Sequence, residues 1–369
     1  MNMSKPQADQ PGPLDGIRVV EYGVFHAGPG ATAILGDLGA EVIKIETAEG
    51  DPERTWTTIG KLNMSAPNGE SIMFEVSNRN KRGICLDIKT EKGQEVFRRL
   101  VEGADVFLTN LRQSTKFKLG LDYQAISAIN PNVVYASVSG YGPQGPMRDH
   151  GGFDPLGSAR SGMMFLTGTE KPALLNMGIL DQSTAITASH AIITALLARE
   201  RQGRGQEVHV SLLSTGLWLT YCNQMVYNGI SVNPTHSGER SLHSPLRNSF
   251  LCRDGRWITG THHPEHKYWE RFCQATGQTQ LIGDPRFNTD DARQANCPEL
   301  VAVFDEVFLT KTRDEWMEIF LEQGLMFCSV QTVEELASDP QALANGYMVP
   351  FDHPSLGEFM VTGYPVIFS

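Results

Sequence analysis

The stretch GIRVVEYGVFHAGPGATAILGDLGAEVIKIE, residues 16–46, decides the fold class of this 369-residue chain. It opens with a β-branched run at 16–21, passes through a glycine-rich turn and continues into the apolar segment 31–40. A second β-branched run follows and ends at Glu46. A strand, a glycine-rich turn, a helix and a second strand form the opening of a βαβ unit. The sequence therefore predicts an α/β fold with a mainly parallel, Rossmann-like sheet.

Runs typical of further strands recur along the first half of the chain. They are RGICLDI, DVFLTNL, VVYASVSGYG and EVHVSLL, beginning at residues 82, 105, 133 and 207. A long helix is expected from Gln182 to about Arg201, because apolar residues recur there at helical spacing. The pair Asp254-Gly255 predicts a β-hairpin later in the chain.

Composition and pattern divide the chain into four predicted parts. Residues 1–200 are assigned to the first part of a large Rossmann-like domain, and residues 201–235 to a linker. Residues 236–322 are assigned to a smaller α+β domain. The last segment, 323–369, is expected to be a linker that returns to the large domain.

The charge and apolar content exclude several classes of function. The net charge of −11 argues against sequence-independent nucleic-acid binding, which needs many Lys and Arg residues against phosphate. No run of eighteen apolar residues and no apolar leader occurs, so no membrane partner is expected. Six cysteines without CxxC spacing are typical of reduced thiols. The sequence predicts a cytoplasmic protein.

A metal site is not expected from the histidines. His262, His263 and His266 are close in sequence, but no carboxylate or thiol lies at a fixed ligand spacing from them.

The turn Ala27–Gly30 has two interpretations. Its backbone N–H groups can face an anion at the start of a helix, in which case Glu46 would be the ribose-binding acid of a dinucleotide site. Alternatively, the glycines simply allow a tight connection between strand and helix. The pattern is not GxGxxG, and both interpretations stay open.

Two loops concentrate positive charge in this acidic protein. If both lie at one edge of the sheet, they form a rim suited to a 3′-phosphorylated ADP group. The alternative is two solvated loops. The six cations are Arg79, Lys81, Arg82, Arg112, Lys116 and Lys118.

Asp181 stands at the start of the predicted long helix. Aspartate is a common helix cap. The same position favours an ionised carboxylate, which is the form that attacks a thioester. The residues alone leave the two roles open.

Several segments together resemble the family III coenzyme A transferases, the type that includes formyl-CoA transferase and carnitine CoA-transferase. The resemblance implies a Rossmann-like large domain built from both ends of the chain, a small domain and two interlocked subunits. The similar segments, which begin at 13, 27, 78, 104, 151 and 197, are PLDGIRVVEYG, AGPGATAILGDLGAEVIKIE, NRNKRGICLDIKTEKGQE, ADVFLTNLR, GGFDPLGSARSG and LARERQGRGQEVHVSL.

The resemblance also implies a mechanism and a set of site residues. Asp181 matches the aspartate that forms a mixed anhydride and then an enzyme–CoA thioester. His26 and Asp154 match positions near the substrate. The substrates implied are an acyl-CoA and a carboxylic acid, and no metal is implied. The implied assembly is a homodimer, or a heterodimer with a related chain. The positions implied to contact CoA are Phe25, Ala27, Lys81, Asn110, Leu111 and Lys118.

The chain departs from the family pattern in two places. Residues 237–248 lack the glycine run that covers the site in formyl-CoA transferase, and Thr47 stands where some members have a CoA-contacting arginine. An α-methylacyl-CoA racemase is a rival, but its proton-exchanging histidine is replaced by Phe153. A catalytically silent subunit of a hetero-oligomer is a third alternative.

Overall fold

A computed structural model describes residues 11–166, 171–175, 178–227, 240–354 and 356–368. Its described residues up to 227 form one compact unit, and nearly all those from 240 onward form a second. The predicted boundary between residues 235 and 236 lies outside the described residues. None of the described helices is long and apolar enough to cross a membrane.

The first unit is built on strands and helices that alternate along the chain. Its strands are β1 (Arg18–Tyr22), β2 (Glu41–Glu46), β3 (Thr58–Ile59), β4 (Leu62–Asn63), β5 (Lys81–Cys85), β6 (Val106–Thr109), β7 (Val134–Ser139) and β8 (Gln206–Ser211). Its helices are α1 (Ala27–Asp37), α2 (Ile72–Asn78), α3 (Glu91–Glu102), α4 (Gln113–Leu119), α5 (Tyr123–Ile129), α6 (Asp154–Arg160), α7 (Ile179–Gln202), α8 (Leu212–Leu219) and α9 (Tyr221–Tyr227).

Six of these strands form one parallel sheet in the order β5-β2-β1-β6-β7-β8. Numbered along the chain within the sheet, this is the order 3-2-1-4-5-6 of the doubly wound nucleotide-binding fold. The predicted α/β class and parallel sheet are therefore confirmed. The strand order reverses between β1 and β6, and such a switch point places a crevice at the carboxyl ends of these strands.

The central strands are apolar because helices cover both faces of the sheet. Val19 and Val20 in β1 are fully buried, as are Val106, Phe107 and Leu108 in β6. Continuous apolar runs of this kind are what made the strands recognisable in the sequence.

The described residues of the second unit form a three-stranded antiparallel sheet, a two-stranded sheet and five α-helices. The predicted hairpin is confirmed, with Gly255 at a φ of 76° in the turn. The core is rich in aromatic residues, including Phe272, Phe304 and Phe320. The elements are β9 (Ser249–Leu251), β10 (Trp257–Gly260), β11 (Phe327–Val330), β12 (Met348–His353), β13 (Gly357–Thr362), α10 (Trp269–Ala275), α11 (Asp290–Ala295), α12 (Cys297–Phe308), α13 (Arg313–Glu322) and α14 (Pro340–Ala344).

Two parts of the predicted domain division differ from the structure. Residues 201–235 were assigned to a linker, but β8 hydrogen-bonds to β7 and is the sixth strand of the sheet. The segment 323–369 was expected to return to the large domain, but β11 pairs with β10 in the second unit. In both places the paired strands are far apart in the sequence, β7 from β8 and β10 from β11. Local composition does not indicate such a pairing.

Candidate active site

A cavity of about 840 Å³ opens at the carboxyl ends of the central strands of the first unit. The loops after β1, β6 and β7 and the first turn of α7 all contribute to its lining, as the switch point of the sheet predicts. Among the residues that line it are Phe25, His26, Ala27, Asn110, Leu111, Gly140 and Asp181.

The loop after β1 is held in a constrained conformation. Phe25 adopts a φ of 59°, which is unusual for a residue with a side chain. The Phe25 N–H donates to Oδ1 of Asp51 at 3.1 Å. Asn110 binds the backbone of Val24, the residue before Phe25. Its Oδ1 accepts from the Val24 N–H at 2.9 Å, and its Nδ2 donates to the Val24 carbonyl at 2.6 Å. The loops that follow β1 and β6 are therefore fixed to each other at the switch point.

The glycines of the turn Ala27–Gly30 serve close packing. A Cβ added at Gly28 would lie 3.1 Å from the Asn110 side chain, and one at Gly30 would lie 3.1 Å from Cβ of Ala185. Both contacts are tighter than ordinary van der Waals distances. The absence of a side chain at Gly30 lets α1 approach α7, and its absence at Gly28 lets α1 approach Asn110. Packing therefore accounts for both glycines without a bound nucleotide.

His26 precedes α1 and is held by two polar side chains. Its Nε2 lies 2.8 Å from Oε1 of Gln182, and its Nδ1 lies 2.6 Å from Oγ of Ser77. Burial lowers the pKa of His26, which favours the neutral ring. Because an amide oxygen only accepts, Nε2 carries the proton and Nδ1 accepts from the Ser77 hydroxyl. His26 lines the cavity as predicted, but both ring nitrogens already have partners.

Asp154 positions the first turn of α7. Its Oδ2 accepts from the backbone N–H of Leu180 at 2.7 Å and of Asp181 at 3.1 Å. The residue before the helix is Gly178, which has no side chain to cap these groups. Asp154 therefore satisfies two amides that a helix start leaves free. The resemblance placed it near the substrate, but it is buried and does not line the cavity.

Asp181 is the third residue of α7, and its carboxylate faces the cavity. It is not the cap of the helix. Its carboxylate accepts no hydrogen bond from any residue in the described parts of the chain. Burial raises the pKa of Asp181 to about 7, and the charge of Asp154 adds to this effect. A helix start alone favours the ionised form, so burial reverses the direction expected from sequence. A carboxylate with a raised pKa is a stronger base and nucleophile once ionised.

The predicted cationic rim is only partly formed. Lys81 does not reach the cavity, because its Nζ is buried and donates to Glu21 at 2.8 Å, to the Pro29 carbonyl at 2.8 Å and to Oδ1 of Asn78 at 3.1 Å. Lys118 is exposed and does not line the cavity either. Neither of these predicted CoA contacts lines the cavity, because the Lys81 side chain is buried and the Lys118 side chain is exposed. The cations that line the cavity are Lys116, Arg112 and Arg148.

A buried charge network beneath the β1 loop was not predicted. Lys44 and Lys81 both form ion pairs with Glu21, at 2.7 and 2.8 Å. Burial by itself would raise the pKa of Glu21, but the charges of these two lysines outweigh it and hold that pKa at about 2. Burial, with the nearby charge of Asp51, raises the pKa of Glu53 to about 8. The sequence signal for the network was Lys44, a charged residue inside the apolar strand β2.

The described residues hold no group of three His, Cys, Asp or Glu side chains arranged for a metal. His262, from the histidine cluster considered in the sequence, is fully buried. Its Nδ1 lies 2.9 Å from the Leu246 carbonyl, and its Nε2 accepts from the Met326 N–H at 2.9 Å. These bonds fix the ring in the core of the second unit.

Comparison with known proteins identifies the family to which this chain belongs. The family model described as CoA-transferase family III matches residues 14–369. An acyl-CoA transferase of Fusarium pseudograminearum is 34% identical over 97% of this chain and 79% of its own length. The (R)-2-hydroxy-4-methylpentanoate CoA-transferase of Clostridioides difficile is 32% identical over 96% of this chain and 89% of its own.

The solved structures agree with the sequence relatives. The crystal structure of a CAIB/BAIF family protein from Brucella suis superposes with a TM-score of 0.86. Its sequence identity is 31%, over 98% of this chain and 93% of that chain. The chain therefore belongs to CoA-transferase family III and is an enzyme that acts on CoA thioesters.

Proposed function

We propose that the chain moves CoA from an acyl-CoA donor to a free carboxylic acid through two kinds of covalent intermediate on Asp181, a mixed anhydride and a CoA thioester. The Asp181 carboxylate attacks the thioester carbonyl, the carbon–sulfur bond breaks, and a mixed anhydride and CoA thiolate form. The thiolate then attacks the Asp181 carbonyl and releases the donor acid, which leaves an aspartyl–CoA thioester. The acceptor carboxylate then attacks the aspartyl–CoA thioester, the carbon–sulfur bond breaks, and a second mixed anhydride and CoA thiolate form. The thiolate attacks the acceptor's carbonyl carbon, which forms the new acyl-CoA and releases the Asp181 carboxylate. No net proton is consumed.

The observation that carries this proposal is the environment of Asp181. A carboxylate that caps or stabilises a helix is hydrogen-bonded, whereas that of Asp181 faces the cavity without a hydrogen-bond partner among the described residues. Its raised pKa gives it nucleophilic strength. Asp154 fixes the backbone that carries it, through the N–H of Leu180 and of Asp181 itself. Pre-positioning of this kind is what a nucleophile needs.

The thioester end of CoA is proposed to lie along the loops at the switch point. Four of the residues that the resemblance assigns to CoA line the cavity there, which supports this proposal: Phe25, Ala27, Asn110 and Leu111. Both polar atoms of the Asn110 side chain bind the backbone of Val24. The role of Asn110 is therefore to fix the loop after β1 where the substrate binds. A small acyl-CoA such as succinyl-CoA is the proposed donor.

A homodimer with interlocked subunits is also part of the proposal, with a heterodimer as the alternative. Apolar side chains on α7, α8 and α9 are exposed in the single chain, and Trp218 keeps 77% of its surface accessible. Exposed apolar surface of this extent is typical of an interface. Others on these helices are Ile186, Leu197, Leu217 and Tyr221. Light scattering after size-exclusion chromatography would give the mass of a dimer, and a monomeric mass would contradict the proposal.

A transfer screen tests the proposed function. The purified chain is incubated with succinyl-CoA and each of a panel of carboxylic acids, and new acyl-CoA species are followed by liquid chromatography and mass spectrometry. The expected result is a new acyl-CoA with at least one acid, and none with Asp181→Asn. Deuterium incorporation at the α-carbon of an acyl-CoA without any CoA transfer would instead show the racemase-type activity.

A further inference from the structure

Phe153 is an apolar residue at a position where a polar residue would serve the fold better. It is the N-cap of α6, and its side chain makes no hydrogen bond to the start of that helix. Serine, threonine, aspartate and asparagine are preferred at such positions. Phe153 also keeps 46% of its surface accessible and lines the cavity. Neither helix capping nor burial in the core therefore accounts for a phenylalanine here.

The Phe153 ring packs edge to face on the ring of Phe25, with the ring centres 5.2 Å apart and the planes at 83°. Both rings of this aromatic pair belong to residues that line the cavity. Trp56, which does not line it, packs edge to face on Phe25 at 6.0 Å. The backbone of Phe25 is held at a φ of 59°, a conformation that persists only where the surrounding contacts enforce it. Phe25 is therefore a fixed support for the Phe153 ring.

Phe153 is tied to the turn that carries the proposed nucleophile. It is followed directly by Asp154, whose Oδ2 lies 3.1 Å from the backbone nitrogen of Asp181. Consecutive Cα atoms are about 3.8 Å apart and an aspartate side chain is short, so the Cα of Phe153 lies within roughly 11 Å of that nitrogen. Phe153 and Asp181 also line the same cavity.

Phe25 is tied to the same turn by a second contact. It is followed directly by His26, whose Nε2 lies 2.8 Å from Oε1 of Gln182. The aromatic pair thus joins two residues that each hydrogen-bond the first turn of α7, one at Asp181 and the other at Gln182. These contacts form a closed circuit, and the apolar rings are the part of it that forms the cavity wall beside Asp181.

An apolar wall at this place bears on the fate of the proposed aspartyl–CoA thioester. The acceptor carboxylate or a water molecule can attack its carbonyl carbon. When water attacks, a carbon–oxygen bond forms, the carbon–sulfur bond breaks, and free CoA leaves with one proton of the water. The second proton passes to solvent as the Asp181 carboxylate is restored. Exclusion of water is the means by which an active site prevents such hydrolysis.

We propose that the Phe153 ring, supported by Phe25, keeps water from the Asp181 carbonyl in the covalent intermediates and so favours transfer over hydrolysis. The inference rests on the proposed CoA transfer and adds the residue that decides which nucleophile completes it. A histidine at position 153 could act as a general base for water, whereas a phenyl ring can neither accept a proton nor hold a water molecule by a strong hydrogen bond.

Phe153→Ala tests the assignment, because the native side chain makes no capping hydrogen bond that the variant would lose. Each protein is loaded with CoA from an acyl-CoA donor and desalted rapidly into oxygen-labelled water without an acceptor. The CoA adduct is then followed by intact-protein mass spectrometry. We expect the adduct of Phe153→Ala to decay about 10-fold faster than that of the wild type, with one labelled oxygen left in Asp181.

Two further variants sharpen this measurement. Phe153→Leu should recover part of the lifetime of the adduct, because leucine restores much of the apolar bulk. Phe165→Ala is the matched control, since Phe165 is 49% exposed and does not line the cavity. If Phe153→Ala does not fold, Phe153→Ser takes its place, because serine is a preferred N-cap.

The ratio of hydrolysis to transfer separates this role of Phe153 from a structural one. Free CoA and new acyl-CoA are measured together in the presence of an acceptor acid. The ratio of free CoA to new acyl-CoA should rise about 10-fold in Phe153→Ala. An equal loss of both products would show that the ring only supports the fold, and would overturn the inference.

The adduct also distinguishes this inference from the proposed function. An adduct that decays equally fast in the wild type and in Phe153→Ala would reject the role of Phe153 alone. Absence of any CoA adduct from the wild type would reject the proposed function, and this inference with it.

Discussion

The Oδ2 atom of Asp154 accepts a hydrogen bond from the backbone N–H of Asp181 at 3.1 Å. One carboxylate thus fixes the backbone of the other, and its charge also raises the pKa of that neighbour. Asp154 is a positioning residue with two separable effects, one geometric and one electrostatic.

Substitution of Asp154 should separate these effects. Asp154→Asn keeps an oxygen acceptor but removes the charge, so the pKa of Asp181 should fall and the pH–rate profile should move to lower pH. Asp154→Ala removes both hydrogen bonds to the start of α7, which should cost about 1–3 kcal/mol of unfolding free energy and most of the activity. Urea titrations and pH–rate profiles measure the two effects. Identical profiles for Asp154→Asn and wild type would contradict the electrostatic role.

The rate should depend on the protonation state of Asp181. The nucleophile is the ionised carboxylate, and burial raises its pKa to about 7. We therefore expect kcat/KM to rise about 10-fold per pH unit below 7 and to level off above it. Measurements from pH 5 to 9 with one acyl-CoA donor and one acid check this. A rate that is flat from pH 5 upward would show that Asp181 ionises in the ordinary range.

The raised pKa of Asp181 also predicts how stability depends on pH. Between the ordinary value of 3.8 and about 7, the folded state retains a proton that the unfolded state loses. Stability contributed by this group is therefore lost as the pH rises through that window. Asp181→Asn should be more stable than wild type by about 1–3 kcal/mol at pH 8, after allowance for partial solvent access. The difference should vanish near pH 4. An equal difference at both pH values would argue against this origin.

The close contact of α1 and α7 can be tested with a double-mutant cycle. Gly30→Ala places a Cβ 3.1 Å from that of Ala185, while it gains about 1 kcal/mol of helix propensity. Ala185→Gly removes the opposing atom. We expect a coupling free energy of about 1–2 kcal/mol, with Gly30→Ala less favourable when Ala185 is present. Additive changes in the free energy of unfolding would show that the helices adjust without cost.

The fold was largely predictable because its central strands are buried on both faces. Val19, Val20 and Phe107 belong to continuous apolar runs that local sequence reveals. The place of β8 in the sheet was harder to predict. The first four of its residues are partly buried or exposed, and its role depends on pairing with β7.

The sequence predicted a site residue correctly only where its place relative to a helix or strand end was enough to locate it. Asp181 could be placed at the start of a helix, but its raised pKa depends on burial and on Asp154, which lies 27 residues earlier. Lys116 and Lys118 occupy the same short helix, yet only Lys116 lines the cavity. Which side of α4 faces inward is set by packing on Ser137 and Tyr135, and no local pattern reports it.

The covalent state of Asp181 during turnover tests the proposed mechanism most directly. The wild-type chain is mixed with an acyl-CoA donor, quenched in acid, digested with protease and analysed by mass spectrometry. We expect a CoA adduct on the peptide that contains Asp181. The adduct should be absent from Asp181→Asn and should be converted to a hydroxamate by hydroxylamine. Active transfer by Asp181→Asn, or an adduct on a different residue, would contradict it.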